Sequence, residues 1–177
     1  MRDDSHKWDA PNADPEVFVR PGLKITQIWP KRQTLVSGPD VLSKSKLPLV
    51  EWPGNAPESG FALVLRRDRI LEIDGPARTD GWNEKSRCAI SDMTHGYEVL
   101  HLEGNGVLDL LMRGGTVEPD KPSRSVSRPL FGLPALLYRC DMARSDVPRF
   151  AVHVGRANMQ ALRKSVIETI RAMRINS

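Results

Sequence analysis

Near its C-terminus the chain changes period. In "RFAVHV", Phe150, Val152 and Val154 alternate with other residues, as on one face of a β-strand. From Ala157 to Met173 the positions Met159, Leu162, Val166, Ile170 and Met173 recur at spacings of three and four, as on one face of an α-helix. Arg163, Lys164, Arg171 and Arg174 lie off that stripe, so the helix is amphipathic with a basic outer face. A strand followed by a one-faced helix points to a mixed fold.

Upstream the same two periods recur. "LKITQIW" alternates Leu23, Ile25 and Gln27 with Lys24, Thr26 and Ile28 until Pro30 stops the strand. "GPDVLSKSKL" offers a short helix capped by Asp40, and Pro48 and Pro53 enclose "LVEW" in a loop or short extended piece. "FALVLRRDRILEI", Phe61 to Ile73, holds two apolar β-prone runs around a charged tip at Arg67 and Asp68, the pattern of a hairpin. "DGPARTDGWNEKSR" then reads as a connection with turns at Asp74 to Pro76 and Asp80 to Gly81.

The stretch "SDMTHGYEVLHLEG" opens a second round. Tyr97, Val99, His101 and Glu103 share one strand face, and Leu100 and Leu102 share the other, which should face the core. Asn105 can cap the short helix "GVLDLLMR", with Val107, Leu108 and Leu111 as its apolar stripe and Gly114 as its stop. A polar loop follows, and "PLFGLPALLYRC" and "RFAVHV" read as two strands. The order of strand, helix, paired strands, linker, strand, helix, strands, helix makes this an α+β chain of two related halves, about 22–83 and 84–177, within one domain of residues 22–177. Residues 1–21, with three prolines, five acidic residues and no sustained period, read as an extended arm that Trp8, Val17 and Phe18 would anchor on a partner.

At 177 residues the chain is long enough to bury a core without disulfides, and Cys88 and Cys140 show no CxxC spacing. They read as two reduced, buried thiols, with a structural disulfide as the alternative. The first 16 residues hold no apolar signal region, and no window reaches the roughly 18 apolar residues of a membrane helix, so a soluble, cytoplasmic protein is expected. The net charge of +4 is too modest to require a nucleic-acid partner. The basic last helix also lacks the interleaved aromatics that stack bases, so an RNA-binding module stands as a secondary alternative.

Four histidines are available, His6, His95, His101 and His153, without an acid or thiol at a recognisable metal-ligand spacing. Ser91, Thr94 and His95 offer a nucleophile and a base by composition, yet sequence neighbours rarely have the geometry of such a pair, and there is no nucleophile elbow. Gly104 and Gly106 precede a helix outside any GxGxxG or GxxxxGK[ST] pattern. The residues give no catalytic, cofactor-binding or metal-binding assignment.

Together, "SDMTHGYEVLHLEGNGVLDLLMRGG", "LFGLPALLYR" and "FAVHVGRANMQALRKSVIETI" resemble the folate-binding aminomethyltransferase (glycine-cleavage T-protein) superfamily. The resemblance is greatest to the gamma subunit family of heterotetrameric sarcosine oxidase and of N-methylglutamate dehydrogenase. It covers most of Ala89 to Met173 and extends more loosely to "LKITQIWP", "LPLVEWPGN" and the Phe61 to Ile73 hairpin. Asp92, Thr94 and His95 occupy the family's Asp-x-Ser-His type turn, with threonine in place of serine.

The resemblance implies a T-protein-like folate-binding domain fold, two pseudo-symmetric β-α-β halves with exchanged strands. Where folate-dependent relatives carry paired aspartates, this chain has Pro134 and Ala135, which implies that the transfer chemistry is lost. The expected role is a non-catalytic gamma-type subunit, held by a large alpha subunit alongside beta and delta subunits. The complex would oxidatively demethylate sarcosine or a related N-methyl amino acid, with FAD, FMN, NAD and tetrahydrofolate on the other chains and no cofactor on this one. The alternative is a stand-alone tetrahydrofolate-dependent methyl or aminomethyl transferase, with Glu103 or Asp109 as substitute acids.

Overall fold

The computed structural model describes residues 16–140 and 147–173. In chain order these form β1 (Glu16–Arg20), β2 (Leu23–Ile28), β3 (Gln33–Ser37), α1 (Val41–Lys44), β4 (Leu49–Val50), β5 (Asn55–Ala56), β6 (Phe61–Arg66) and β7 (Arg69–Ile73). There follow β8 (Gly81–Asn83), β9 (Cys88–Asp92), β10 (Tyr97–Glu103), α2 (Val107–Gly114), β11 (Ser127–Leu130), β12 (Leu133–Cys140), β13 (Arg149–Gly155) and α3 (Met159–Ala172).

The strands make two sheets. One runs β1-β2-β10-β13-β12-β11, with β5 also paired to β12; the other runs β4-β6-β7-β3-β9-β8. Each sheet borrows a hairpin: β1-β2, from the start of the chain, pairs with β10, while β8-β9, from its middle, pairs with β3. Mixed, mainly antiparallel sheets, with three α-helices among the described residues, make the chain α+β.

Alternation along the strands sorts side chains into layers. Leu23 and Ile25 on β2, Leu100 and Leu102 on β10, and Phe150, Val152 and Val154 on β13 pack outward against α2 and α3. The opposite faces meet between the sheets, where Phe61, Leu63, Leu71 and Ile73 oppose Val99, Leu136, Tyr138 and Ala151. A third cluster, Val36, Val41, Ala62, Ile70, Cys88 and Ile90, closes the far face of the second sheet under α1. Buried thus are Leu100 and Leu102, as expected, and the whole stripe Met159, Leu162, Val166, Ile170 and Met173 of the last helix.

Several expectations are corrected. The arm expected over 1–21 ends in a strand: Glu16–Arg20 pairs with β2, and Val17 and Phe18 pack on this chain's own core rather than waiting for a partner. Trp8, His6 and Arg174 lie outside the described residues. Asp40 stands at the start of α1 but makes no side-chain cap bond, and α2 starts from Gly106 rather than from Asn105, also without one. "PLFGLPALLYRC" is a hairpin rather than a single strand. Phe131 and Gly132 both have positive φ (51° and 74°), the backbone of a two-residue type I′ turn, and the chain reverses there. The connection after Asp74 contains β8, and the turn-forming stretch before Tyr97 begins as β9.

Candidate functional site

Between the sheets the core is not wholly apolar. On β10, β12 and β13 the inward faces carry His101 and Glu103, Tyr138 and Cys140, and Arg149 and His153, because the alternation that sends leucine and valine toward the helices sends these residues inward. Where the sheets diverge, a cleft of ≈ 590 Å³ opens, with Thr26, Trp29, Phe61, Asp74, His101 and Arg149 among its walls. That volume suits a small-molecule site.

At the inner end of this polar row the hydrogen bonds fix the chemistry. Gln33 Nε2 donates to the carbonyls of Thr94 (3.2 Å) and Tyr97 (3.0 Å), which leaves its Oε1 as the acceptor facing His153 Nδ1 at 3.1 Å. Nδ1 therefore carries the proton, and Nε2 accepts from the Tyr138 hydroxyl at 2.8 Å. Complete burial pushes the His153 imidazole down to about 3, so it is neutral, and burial pushes the Tyr138 phenol well up. Every polar atom of the imidazole is satisfied, and the network ties β3 of one sheet to β12 and β13 of the other.

The outer end is equally quiet. His101 Nε2 and Cys140 Sγ lie 3.9 Å apart. Burial pushes the Cys140 thiol up to about 12 and, with help from Arg149, lowers His101. A protonated thiol beside a neutral imidazole is not an activated nucleophile, which requires the thiolate. Cys88 and Cys140 are both free thiols, so no disulfide joins them.

Other residues singled out by the sequence fall as follows. Asp92 Oδ1 accepts the Thr94 backbone N–H at 2.8 Å, and Thr94 Oγ1 accepts the Gln33 N–H at 3.1 Å, so this pair builds the turn. Hydrogen bonds from Thr94 hold the Asp92 carboxyl below its ordinary range. Thr94 Oγ1 is thus engaged by the Gln33 N–H, and Ser91 and His95 are exposed. His95 lies in the turn ahead of β10, and His101 on that strand. Glu103 lines the cleft but is held by Arg149 at 3.0 Å, and Asp109 is on α2, paired with Arg113 at 3.1 Å. Pro134 is exposed and paired with Pro129 across the β11-β12 hairpin, while Ala135 sits in the core beneath the helices. Among the described residues no group of three or more His, Cys, Asp or Glu side chains is placed to hold a metal ion.

The cleft itself escaped the sequence reading because its walls come from both sheets. Its local signal was the polar residues at alternate positions, Tyr138 and Cys140 on β12 and Arg149 and His153 on β13, which a fully apolar sandwich would not need.

Fold and cleft together define a class: a two-sheet α+β domain, helices outside, with a polar cleft where the sheets part. The sequence matches no family model and no curated protein. Among solved structures, the chain superposes on a chain of the heterotetrameric sarcosine oxidase from Corynebacterium sp. U-96, determined in complex with pyrrole 2-carboxylate. The TM-score is 0.65 at 12% identity, over 92% of this chain and 91% of that one. At that identity the likeness is one of fold. No helix among the described residues is long and apolar enough to cross a membrane.

Proposed function

We propose that this chain is a non-catalytic subunit of a heteromeric, sarcosine-oxidase-like complex, of the gamma type, with the T-protein-like fold of two related halves. The observation that carries the reading is the likeness, end to end, to a chain of such an assembly. The nearly equal coverage of both chains means that the matched chain has about this length, as a small subunit would.

Support comes also from the twice-run order of hairpin, strand, helix and paired strands, each hairpin lodged in the other half's sheet. The cleft adds to it, since its thiol is protonated, its imidazole, His101, is neutral and Glu103 is spent on Arg149. On this reading the large alpha subunit holds the chain, with beta and delta subunits in the same complex. Oxidation of sarcosine or a related N-methyl amino acid, and the FAD, FMN, NAD and tetrahydrofolate it uses, belong to the other chains, and this chain binds no cofactor of the reaction.

The test is purification of the tagged chain from its native host at native expression. Co-purification of a large and a smaller flavin-containing chain is expected, and recovery of an isolated monomer overturns the reading. Saturable tetrahydrofolate binding with methyl or aminomethyl transfer by the chain alone would instead establish the stand-alone transferase.

A further inference from the structure

We infer that the cleft between the sheets binds a small organic cation, an ammonium group carrying apolar substituents. The inference goes beyond the subunit role and rests on the cleft's own chemistry.

Trp29, Phe61 and Tyr138 line the cleft; Phe61 and Tyr138 are almost wholly buried, so the ring that a ligand can reach is Trp29, 43% exposed although it is a large apolar side chain. Aromatic faces carry negative potential and attract cations whose charge is only weakly hydrated. The charged groups point the same way. Glu103 and Arg149 neutralise each other at 3.0 Å. Asp74 enters from the other sheet, and among the described residues it forms no ion pair. Its Oδ1 accepts only the neutral backbone N–H of Arg32 at 3.0 Å, and the Arg32 guanidinium is turned to the Gly75 carbonyl at 2.7 Å. Asp74 and Tyr138 line the same cleft, and the Asp74 charge adds to the burial that raises the Tyr138 phenol.

The alternatives fit less well. An anion would meet one guanidinium already paired with a carboxylate, a neutral His101 and the opposing charge of Asp74. A metal ion would need a ligand cluster that the described residues do not form. A substituted ammonium uses both the exposed Trp29 ring and the Asp74 carboxylate.

The experiment uses the full chain at constant ionic strength and compares choline with 3,3-dimethyl-1-butanol, its uncharged isostere, by equilibrium dialysis and ligand-observed NMR. Choline is expected to bind saturably and about tenfold or more tighter than the isostere, through its charge. Asp74→Asn keeps an acceptor for the Arg32 N–H and should erase that preference, and Trp29→Ala should weaken choline; circular dichroism checks that both variants are folded. Equal affinity for the two probes, no saturable choline binding, or an unchanged preference in folded Asp74→Asn overturns the inference. Because the chain is tested alone, this result stands or falls separately from the capture of partner chains.

Discussion

His153 holds the two sheets together only while it is neutral. Its imidazole titrates at about 3 in the fold against an ordinary 6.5, so between those values the unfolded chain binds a proton that the folded chain refuses. The contribution is fully present above about pH 6.5 and is lost as pH falls, with a slope of about 1.4 kcal/mol per pH unit at its steepest. His101, lowered by burial and by Arg149, acts in the same direction. Urea unfolding at pH 7, 6, 5 and 4 should show this fall, and His153→Gln should flatten it; equal slopes would mean that His153 does not titrate on unfolding. Tyr138→Phe deletes the donor to a buried Nε2 and should cost about 1–3 kcal/mol at pH 7, read from the same unfolding curves. The turn at Asp92 and Thr94 was legible through the family resemblance, and the Asx bond that builds it is local. The Gln33–His153 bond was not, because it joins residues 120 apart that only the stacking of two sheets brings together.

A short segment that reads as a linker can be fastened as tightly as a strand. Glu72 on β7 is 1% exposed, and Arg78, from the connection to β8, grips it at 2.6 and 2.7 Å. Arg78→Ala leaves that carboxylate buried without its partner and should destabilise the chain by about 3 kcal/mol, whereas Lys164→Ala on the exposed face of α3 should stay within about 0.5. Thermal melts of the two variants side by side check the contrast. At the end of β10, Gly104 has φ 123°, and a Cβ there would lie 2.3 Å from the Gly22 carbonyl oxygen in the β1-β2 turn, so Gly104→Ala should cost about 1–3 kcal/mol on the same measure. Elements with an uninterrupted period, β10, β13 and α3, could be read from sequence, and so could the β6-β7 hairpin from its two apolar runs around a charged tip. β3 could not, because Gln33 and Thr34 are buried side by side at its start and break the alternation. The basic face of α3 was only partly read: Arg163 donates to Gln27 Oε1 at 2.6 Å and ties the helix to β2 instead of facing solvent.

For the whole molecule the mixed class and the two rounds of strand and helix were legible, because both periods repeat along the chain. The stacking of two sheets and the cleft between them were not, since they depend on which strand pairs with which. The borrowed hairpins make the halves mutually dependent. A fragment ending near residue 83 would leave β1-β2 without β10 and β3 without β9, so it should lack cooperative unfolding, and co-expression with residues 84–177 should restore it. The same exchange sets a timetable on the ribosome. The β1-β2 hairpin emerges early yet has no further strand to join until β10, some 70 residues later, has been made, and β10 itself then waits for β13. Neither sheet can be finished while synthesis is under way in its own half, so the nascent chain carries open strand edges until nearly all of it has left the exit tunnel. During that interval a chaperone would find it a client.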